Sequence, residues 1–293
     1  MTEASSKTLR LLMPQWQGGT LPAYHFGAQM LNFLAPVTTG ETITVPVAAP
    51  SGDDLPVEDG IVARTALLQQ ADAAATILSE QSPDRIVVLG GDCLVDLAPF
   101  AYLSERHGDD LAILWVDSHP DILTPDHFSH AHAMVLGNLL GKGDNDFSSR
   151  VKHPVKPQNV MYAGLYDMMP LEWNFVRGNG MAMATPAELA DSSEKVLDWF
   201  RSTGASRLAI HLDLDVLDPK FFRSLYFSNP LDAPGAFGAT PEGRMTMDQV
   251  TRLLNDVAAV ADIVGLGIAE HLPWDAIALK NMLESLPLIG QTA

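Results

Sequence analysis

Cysteine is almost absent: Cys93 is the only one among 293 residues, which excludes an internal disulfide framework. The sequence also lacks any run of about 18 apolar residues, so it predicts no transmembrane helix. The segment from Met1 to Lys7 has no basic stretch followed by an apolar one, and therefore lacks the pattern of a secretory signal. These absences predict a protein of a reducing compartment, the cytoplasm.

Basic residues are scarce as well. Lys and Arg number 18 against 36 Asp and Glu, which gives a formal net charge of −18. This charge argues against nucleic acid and anionic membranes as partners, and it is compatible with a small cationic substrate. Apolar residues make up 47% of the chain, enough for a sizeable core. No internal repeat or long linker divides the sequence, so we predict a single domain spanning residues 1–293.

Segments typical of buried strands alternate with segments typical of helices. The predicted strands are Leu9–Met13, Thr42–Val47, Arg85–Leu89, Leu111–Val116, Asn159–Ala163, Arg207–Leu212 and Ile263–Ile268. The predicted helices are Ile61–Glu80, Leu94–Arg106, Ala187–Ser202 and Met247–Ala261. This alternation favours a three-layer α/β/α fold with a mostly parallel central sheet. In such folds, ligands bind at the carboxyl ends of the strands.

Two short acidic runs stand at the carboxyl ends of two predicted strands. One contains Asp117, His119 and Asp121, and the other contains Asp213 and Asp215. Residues two apart on an extended strand point to the same face, so each run can direct its side chains into one site. Carboxylates gathered in this way require cations, and carboxylates with imidazole suit Mn²⁺ and related divalent metals. The sequence therefore predicts a hydrolytic centre with two metal ions.

A third segment, Gly90-Gly91-Asp92-Cys93, follows another predicted strand, and its glycine pair permits a tight turn. Together with the two acidic runs and the late Glu270, it stands in the order found in ureohydrolases, the family of arginases and agmatinases. The resemblance extends from Gly90 to Pro273, most of the chain. Four motifs in one order are far more specific than any of them alone.

The resemblance implies two Mn²⁺ ions bridged by a hydroxide that attacks a guanidinium carbon and releases urea and an amine. Ni²⁺, Zn²⁺ and Co²⁺ are alternative metals. By position, Asp117 and Asp213 resemble the carboxylates that bridge the two metals. Asp121 resembles a ligand of the first metal and is also counted among the catalytic residues, whereas His119 and Asp215 resemble ligands of the second. The family likeness also predicts assembly into homotrimers or homohexamers.

Two further residues resemble groups of the family that act on the substrate. Glu270 resembles the carboxylate that holds the guanidinium, a pairing that two parallel hydrogen bonds would make specific. His132 resembles the mobile histidine that passes a proton to the leaving amine, and imidazole titrates in the range that such a transfer requires.

Three positions depart from the family pattern. Cys93 stands where a histidine usually binds the first metal, although some hydroxyarginine hydrolases also carry cysteine there. A coordinating thiolate would shift the preference towards zinc or iron, whereas a thiol that does not coordinate would leave the first metal weakly bound or absent. Leu123 and Met169 stand where arginases contact the α-carboxylate and α-amino group of arginine. Agmatine or another guanidino compound is therefore favoured over arginine.

Two alternatives stay open. The same fold could hydrolyse a formimino or hydroxyguanidino compound. The chain could also be a degenerate, non-catalytic subunit of a ureohydrolase hetero-oligomer, because Cys93 weakens its first metal site. Against the second alternative, the chain retains Asp117, His119, Asp121, Asp213, Asp215 and Glu270.

Other polar residues near these motifs have structural interpretations. Asp92 and Asp218 are predicted to cap a helix or bond loop amides. His127 and His130 are predicted to lie on a surface loop or to support a ligand. His211, on the strand that leads into the second acidic run, is predicted to face the site and to hold a ligand in place.

Two long irregular segments follow the strands that carry the acidic runs, namely Leu123–Ala133 and Phe221–Arg244. Segments of this length at such positions are expected to make substrate or subunit contacts. Trp16, after the first predicted strand, either lines the mouth of the site or packs in the core.

Overall fold

The computed structural model describes residues 6–38, 40–233, 236–238, 240–286 and 288–289. Its strands are β1 (Thr8–Met13), β2 (Glu41–Thr44), β3 (Val57–Glu58), β4 (Ile61–Val62), β5 (Arg85–Gly90), β6 (Leu111–Val116), β7 (Val160–Ala163), β8 (Ala182–Ala184), β9 (Arg207–Asp213) and β10 (Asp262–Ala269). Its α-helices are α1 (Ala23–Leu34), α2 (Arg64–Gln81), α3 (Leu97–His107), α4 (Val135–Leu139), α5 (Asn145–Ser148), α6 (Pro170–Gly178), α7 (Glu194–Thr203), α8 (Met247–Ala258) and α9 (Trp274–Ser285). Short 3₁₀ turns include Cys93–Asp96, Ala131–Met134 and Leu214–Val216.

The main sheet has eight strands in the order β2-β1-β5-β10-β9-β6-β7-β8, and all of its pairings are parallel. β3 and β4 form a separate antiparallel hairpin. Parallel strands covered on both faces consist of continuous apolar residues, and β6 is buried along its whole length. Its side chains alternate between two cores, with one set formed by Leu111, Ile113 and Trp115 and the other by Ala112, Leu114 and Val116.

Helices cover both faces of this sheet. One core joins residues of β1, β5 and β6 to α2, α3 and α4, including Leu67 and Phe100. The other joins residues of β6, β7 and β9 to α7 and α8, including Val196 and Leu253. The predicted three-layer α/β/α fold with a parallel central sheet is therefore confirmed. Among the described residues, no helix has both the length and the apolar character that crossing a bilayer requires.

Several element boundaries differ from those that the sequence predicts. The predicted helix Ile61–Glu80 begins only at Arg64, because its first two residues form β4 and Ala63 adopts a left-handed backbone with a φ of 53°. The predicted helix Ala187–Ser202 begins at Glu194. Eight elements have no counterpart among the predicted segments, namely α1, α4, α5, α6, α9, β3, β4 and β8. Helix α9 has no buried residue, so no buried apolar stripe marks it.

The four central strands of the sheet position the candidate site. In the order β5, β10, β9 and β6, they are neighbours, and being parallel they end at one edge. Cys93 follows β5, Glu270 follows β10, Asp213 ends β9 and Asp117 follows β6. Side chains remote in sequence therefore meet at this edge. One sheet also contains strands from residue 8 to residue 269, which supports the single domain that stays a prediction.

Candidate metal and substrate site

One group of donors, the His119 cluster, consists of Asp117, His119 and Asp215, whose ligand atoms lie within 4.8 Å of one another. His119 Nδ1 lies 3.1 Å from Asp215 Oδ2 and 3.6 Å from Asp117 Oδ1. The Ser118 hydroxyl donates to Asp215 Oδ1 at 2.7 Å, and His119 Nε2 lies 3.1 Å from the Pro241 carbonyl oxygen. Asp117, His119 and Asp215 thus converge because they follow β6 and β9, which are parallel neighbours in the sheet.

Opposite charges are balanced within the His119 cluster. Burial alone would lower the pKa of His119, but the carboxylates of Asp215 and Asp117 raise it well above its usual value. Burial would raise the pKa of Asp215, but His119 and the Ser118 hydroxyl lower it below the usual value. In this half of the site, the imidazole already provides part of the positive charge that the carboxylates need.

A second group of donors, the Cys93 cluster, consists of Cys93, Asp117, Asp121 and His211, which are all buried and lie within 4.8 Å of one another. Asp121 Oδ2 has no hydrogen-bond partner among the described residues, and the Asp121 backbone is left-handed with a φ of 50°. Such a backbone is uncommon for a residue other than glycine and often occurs at functional sites. Burial, followed by the charge of Asp117, raises the pKa of Asp121 well above its usual value.

Asp213 lies beside both clusters. Its Oδ1 accepts a hydrogen bond from the Asp215 N–H at 2.6 Å, and its Oδ2 accepts one from the Cys93 thiol at 2.9 Å. Burial and the neighbouring carboxylates of Asp215 and Asp117 raise the pKa of Asp213 well above its usual value. This location between the two clusters agrees with the predicted bridging role, which stays a prediction.

Glu270 is buried beside the Cys93 cluster and forms a further group of donors with Cys93 and Asp213. Its Oε1 lies 3.1 Å from His132 Nδ1 and 3.7 Å from Cys93 Sγ, and its Oε2 accepts a hydrogen bond from the Tyr24 hydroxyl. Its backbone is left-handed with a φ of 66°, and its N–H donates to the Gly91 carbonyl at 2.7 Å. The structure thus brings the two predicted substrate residues, Glu270 and His132, into contact.

His132 lies on the 3₁₀ turn Ala131–Met134, within the irregular segment after the first acidic run. About a quarter of its side chain is exposed (24%). Burial alone would lower the pKa of His132, but Glu270 raises it. A protonated imidazole at this position is therefore favoured while Glu270 is ionised.

The donors at this edge fit divalent metals. In the protein without metal, burial and mutual repulsion raise the pKa values of Asp121 and Asp213, so these carboxylates bind protons more readily than exposed ones. Buried donor atoms of Asp121 and His211 have no partner among the described residues, and unpaired buried polar groups are costly. Oxygen and imidazole donors suit Mn²⁺, and imidazole also suits Ni²⁺, Zn²⁺ and Co²⁺.

Other residues take the structural positions that the sequence predicts. Asp92 accepts bonds from the Gly18 and Leu94 N–H groups, and Asp218 accepts one from the Lys220 N–H. The exposed His127 pairs with Thr124, and His130 packs against Phe128 with ring centroids 4.7 Å apart. None of these four is among the candidate metal-binding groups of the described residues. Trp16 is buried and donates to the Ala48 carbonyl, so it packs in the core.

Leu123 and Met169, the two departures at positions where arginases contact the amino-acid end of arginine, are both apolar. Leu123 is buried in the core, and its N–H donates to the Ala133 carbonyl at 2.9 Å. Met169 is 45% exposed and precedes α6, where its N–H donates to Glu172 at 2.8 Å. Neither side chain offers a charged or strongly polar group to a ligand.

Sequence reasoning missed several residues that hold the site in place. The Trp115 indole N–H donates to Asp117 Oδ2 at 2.9 Å, Asp96 pairs with His211 Nδ1 at 2.7 Å, and Tyr24 contacts Glu270. Tyr24 lies on a helix that was not predicted, and Asp96 lies in a segment predicted only as helix. The one signal available in the sequence was Trp115, which stands two residues before Asp117 and therefore faces the same side.

Comparisons with known proteins agree with this site. The family model described as the Arginase family matches residues 45–278 of this chain. An arginase of Staphylococcus aureus (strain MRSA252) is 25% identical over 155 residues, which cover 50% of this chain and 50% of that protein. In such alignments the chain spans about half the length of the curated relatives it matches.

Solved structures share the fold. Entamoeba histolytica arginase in complex with L-ornithine has a TM-score of 0.76 at 17% identity, with 92% of this chain and 91% of that chain covered. The native structure of the arginase from Bacillus caldovelox has a TM-score of 0.73 at 18% identity, with 97% and 99% covered. With a family model that matches most of the chain and a fold that agrees over nearly all of it, the resemblance seen in the sequence is confirmed: this protein belongs to the arginase family.

Proposed function

We propose that this protein is a metal-dependent amidinohydrolase that cleaves a linear C–N bond of a guanidino compound and releases urea and an amine. One observation supports this proposal most strongly. Asp117 belongs to both donor clusters, and Glu270 and His132 lie together beside the Cys93 cluster. Two adjoining cation sites and a carboxylate–imidazole pair are the groups that hydrolysis of a cationic amidine needs.

The residues proposed to hold two divalent metals are the carboxylates and imidazole of the two acidic runs, namely Asp117, His119, Asp121, Asp213 and Asp215. When bound, the two cations would supply a hydroxide nucleophile near neutral pH, because they lower the pKa of water. Asp117 and Asp213 would hold both metals, His119 and Asp215 would hold the second, and Asp121 the first. The Cys93 thiol donates to Asp213, and burial raises its pKa well above the usual value, so the thiolate that coordination needs is disfavoured.

Glu270 is proposed to bind the guanidinium. A carboxylate can pair with a planar guanidinium through two parallel hydrogen bonds. The Tyr24 hydroxyl holds Glu270 Oε2, and the left-handed backbone at Glu270 directs the side chain to the Cys93 cluster. The substrate carbon would then stand near both clusters, and such alignment accounts for a large share of the rate acceleration of a poor electrophile.

His132 is proposed to deliver a proton to the leaving amine. Its Nδ1 lies 3.1 Å from Glu270, whose charge raises the pKa of the imidazole. A protonated His132 beside the bound guanidinium is therefore available as a general acid. Asp121, with an unpaired buried oxygen, is proposed to orient the nucleophile as well as to bind the first metal.

The apolar residues Leu123 and Met169 support a substrate without the amino-acid end of arginine. Agmatine lacks the α-carboxylate of arginine, so an agmatine-like compound would not place an unpaired charge against these apolar side chains. A formimino or hydroxyguanidino substrate is the alternative, because the same site would hold any planar amidine. Small cationic substrates also suit the net charge of −18.

We also propose that the chain forms homotrimers or homohexamers, as the family likeness predicts. Large apolar side chains at the end of α1 and in the segment after it stand in solvent in the single chain, with Phe33 81% and Val37 99% exposed. Another subunit would cover such a surface. Light scattering on the purified protein tests the assembly, and a monomer would reject it. A cytoplasmic location and the lack of nucleic-acid and membrane partners stay predictions.

The function is tested by a urea-release screen on the isolated protein. Agmatine, arginine and other guanidino compounds are supplied in turn with Mn²⁺, Ni²⁺, Zn²⁺ or Co²⁺, and formimino and hydroxyguanidino compounds are followed by release of formamide or hydroxyurea. We expect metal-dependent urea release that is faster for agmatine-like compounds than for arginine. A fully metal-loaded protein that hydrolyses none of these compounds would support the non-catalytic subunit instead.

A further inference from the structure

Within the Cys93 cluster, His211 stands in an unusual environment. The residue is fully buried, and its ring stacks on Trp115 with a centroid distance of 3.7 Å and an interplanar angle of 13°. Its Nδ1 lies 2.7 Å from Asp96 Oδ2. Its Nε2 has no hydrogen-bond partner among the described residues and lies 3.9 Å from Asp117 Oδ2. One nitrogen is thus anchored, and the other is directed to the cluster.

The residues around His211 leave room for its hydrogen bond with Asp96. His211 on β9 is in register with Gly267 on β10. A Cβ at Gly267 would lie 1.9 Å from Asp96 Oδ2, so any larger residue at position 267 would displace the Asp96 carboxylate. Cys93 and Asp96 stand at the two ends of the same 3₁₀ turn, so this one turn brings both the thiol and the Asp96 carboxylate close to His211.

We propose that His211 binds the first metal through Nε2 and supplies the imidazole that position 93 lacks. Metal-binding histidines commonly donate their second ring N–H to a carboxylate, which fixes the tautomer and the ring orientation. Asp96 is that carboxylate here. The proposal rests on the metal centre of the proposed function and adds to it a ligand that the family's order of motifs does not contain.

The distances are compatible with shared coordination. Two donors to one divalent cation each stand about 2 Å from it and therefore lie roughly 3–4 Å apart. His211 Nε2 and Asp117 Oδ2 are 3.9 Å apart, and Asp121 Oδ2 is the other unpaired donor of the cluster. A histidine with only a structural role would leave Nε2 buried without a partner, which lowers the stability of the folded state.

Mn²⁺ titration of the purified, metal-depleted chain tests the proposal, with bound metal counted per chain by equilibrium dialysis. Wild-type protein is expected to bind two Mn²⁺ ions. His211→Asn should weaken one of them by about a hundredfold or more and leave the other unchanged. Asp96→Asn should weaken the same ion by about 10–100-fold, the usual effect of losing a residue that orients a ligand. His153→Ala, which removes an imidazole whose Nδ1 lies 3.4 Å from the Ser104 hydroxyl outside the clusters, is the control and should keep both ions.

Cys93→Ser separates the thiol from the imidazole. If His211 carries the coordination, this variant keeps both ions with affinities within about threefold of wild type. Two ions bound as tightly in His211→Asn as in wild type would overturn the proposal, and so would loss of one ion in Cys93→Ser but not in His211→Asn.

A measurement on the wild-type chain avoids any folding defect of the variants. In the Co²⁺-substituted protein, imidazoles bound to metal give hyperfine-shifted N–H resonances. Two such resonances are expected, from His119 and His211, and a single one would overturn the proposal. The outcome is independent of activity: two metals and two imidazoles without any hydrolysis would reject the proposed function and keep the ligand, whereas hydrolysis with one imidazole would do the reverse.

Discussion

The His119 cluster and the Cys93 cluster share Asp117 but differ in how their other donors are held. His119 and Asp215 satisfy each other's charge, and the Ser118 hydroxyl completes the pairing. In the Cys93 cluster, Asp121 Oδ2 and His211 Nε2 have no partner among the described residues. The His119 cluster is balanced by its own residues, whereas the Cys93 cluster leaves buried donors that a cation would satisfy.

This difference suggests how one ligand of a metal site can be replaced while the other ligands stay in place. The His119 cluster takes its donors from the two acidic runs, with Asp117 and His119 two residues apart in one and Asp215 in the other. The Cys93 cluster takes its donors from three different strand ends, so its composition can change at one position and be compensated at another. His211, held by Asp96, is such a compensation for Cys93 in our proposal.

The largest expected effect comes from the residue that both clusters share. Asp117→Ala should remove both metals and abolish hydrolysis, because neither cluster keeps its common carboxylate. Metal content after gel filtration checks this prediction. Asp218→Ala, which alters only a bond to the Lys220 N–H, should keep both metals. Two tightly bound metals in Asp117→Ala would sink the shared-ligand arrangement.

Breaking one cluster alone should be less severe. His119→Ala should weaken the second metal by about a hundredfold, since it loses a direct ligand and the partner that lowers the pKa of Asp215. The first metal should stay within about threefold of its wild-type affinity. Calorimetric titration with Mn²⁺ measures both constants. Equal weakening of the two metals would mean that the clusters are not separable.

A third change tests the substrate side and leaves both clusters intact. Glu270→Gln should keep two metals but lower kcat/KM by about 2–4 kcal/mol of transition-state stabilisation, because it removes the charge opposite the guanidinium. Steady-state kinetics with the best substrate of the screen gives this value. Unchanged kinetics, or loss of a metal, would reject the assigned role of Glu270.

The clusters also predict opposite pH dependences of stability with and without metal. In the metal-free protein the pKa values of Asp121 and Asp213 are raised, so both residues stabilise the fold while they are protonated. This stabilisation is complete below about pH 4, the pKa of an aspartate in the unfolded chain, and it is lost as pH rises through the pKa of the folded state. The raised pKa values of His119 and His132 also make the metal-free protein less stable as pH rises. The lowered pKa of Asp215 has the opposite effect, since its stabilisation is lost as pH falls, but this loss occurs only below about pH 4. Metal binding needs deprotonated carboxylates, so its stabilisation should grow as pH rises.

Thermal unfolding from pH 4 to pH 8, with chelator and with Mn²⁺, measures this reversal. The gap between the two melting curves should widen steadily with pH. Asp121→Asn should flatten the pH dependence of the metal-free protein, because the amide does not titrate. A gap that stays constant over the whole range would show that protons and metal ions do not compete for the carboxylates.

The smallest predicted effect concerns a residue outside both clusters. Tyr24→Phe removes the hydroxyl that donates to Glu270 Oε2 and should lower kcat/KM about tenfold, the scale of one hydrogen bond to a charged group, with both metals retained. Tyr102→Phe, whose hydroxyl bonds the Pro83 carbonyl far from the site, is the control. A Tyr24→Phe enzyme with wild-type kcat/KM would show that Glu270 needs no such support.

Much of the fold could be predicted from the sequence because its signals are local. Apolar runs such as Leu111–Val116 mark buried parallel strands, and the structure has β6 there with the same bounds. The acidic runs stand at strand ends, so the convergence of Asp117 and Asp215 follows from the parallel topology alone. The segment Ile61–Glu80 shows the limit, since a two-residue strand precedes the helix and no apolar periodicity separates them.

The rest of the site could not be predicted because it depends on contacts between distant residues. Tyr24 and Glu270 are 246 residues apart, and Asp96 and His211 are 115 apart. Neither pair forms a motif, and each partner alone resembles an ordinary core or helix residue. The sequence placed His211 on the correct face, but only the structure shows that Asp96 anchors one nitrogen and leaves the other free of protein partners among the described residues.

Anomalous diffraction at the manganese edge, from crystals of the wild-type chain grown with Mn²⁺, tests the central claim most directly. The account predicts two anomalous peaks per chain, both within bonding distance of Asp117. One should contact His119 and Asp215, and the other should contact Asp121 and His211. A single peak at the His119 cluster, or a second peak out of reach of His211 and bound by the Cys93 sulfur, would contradict it.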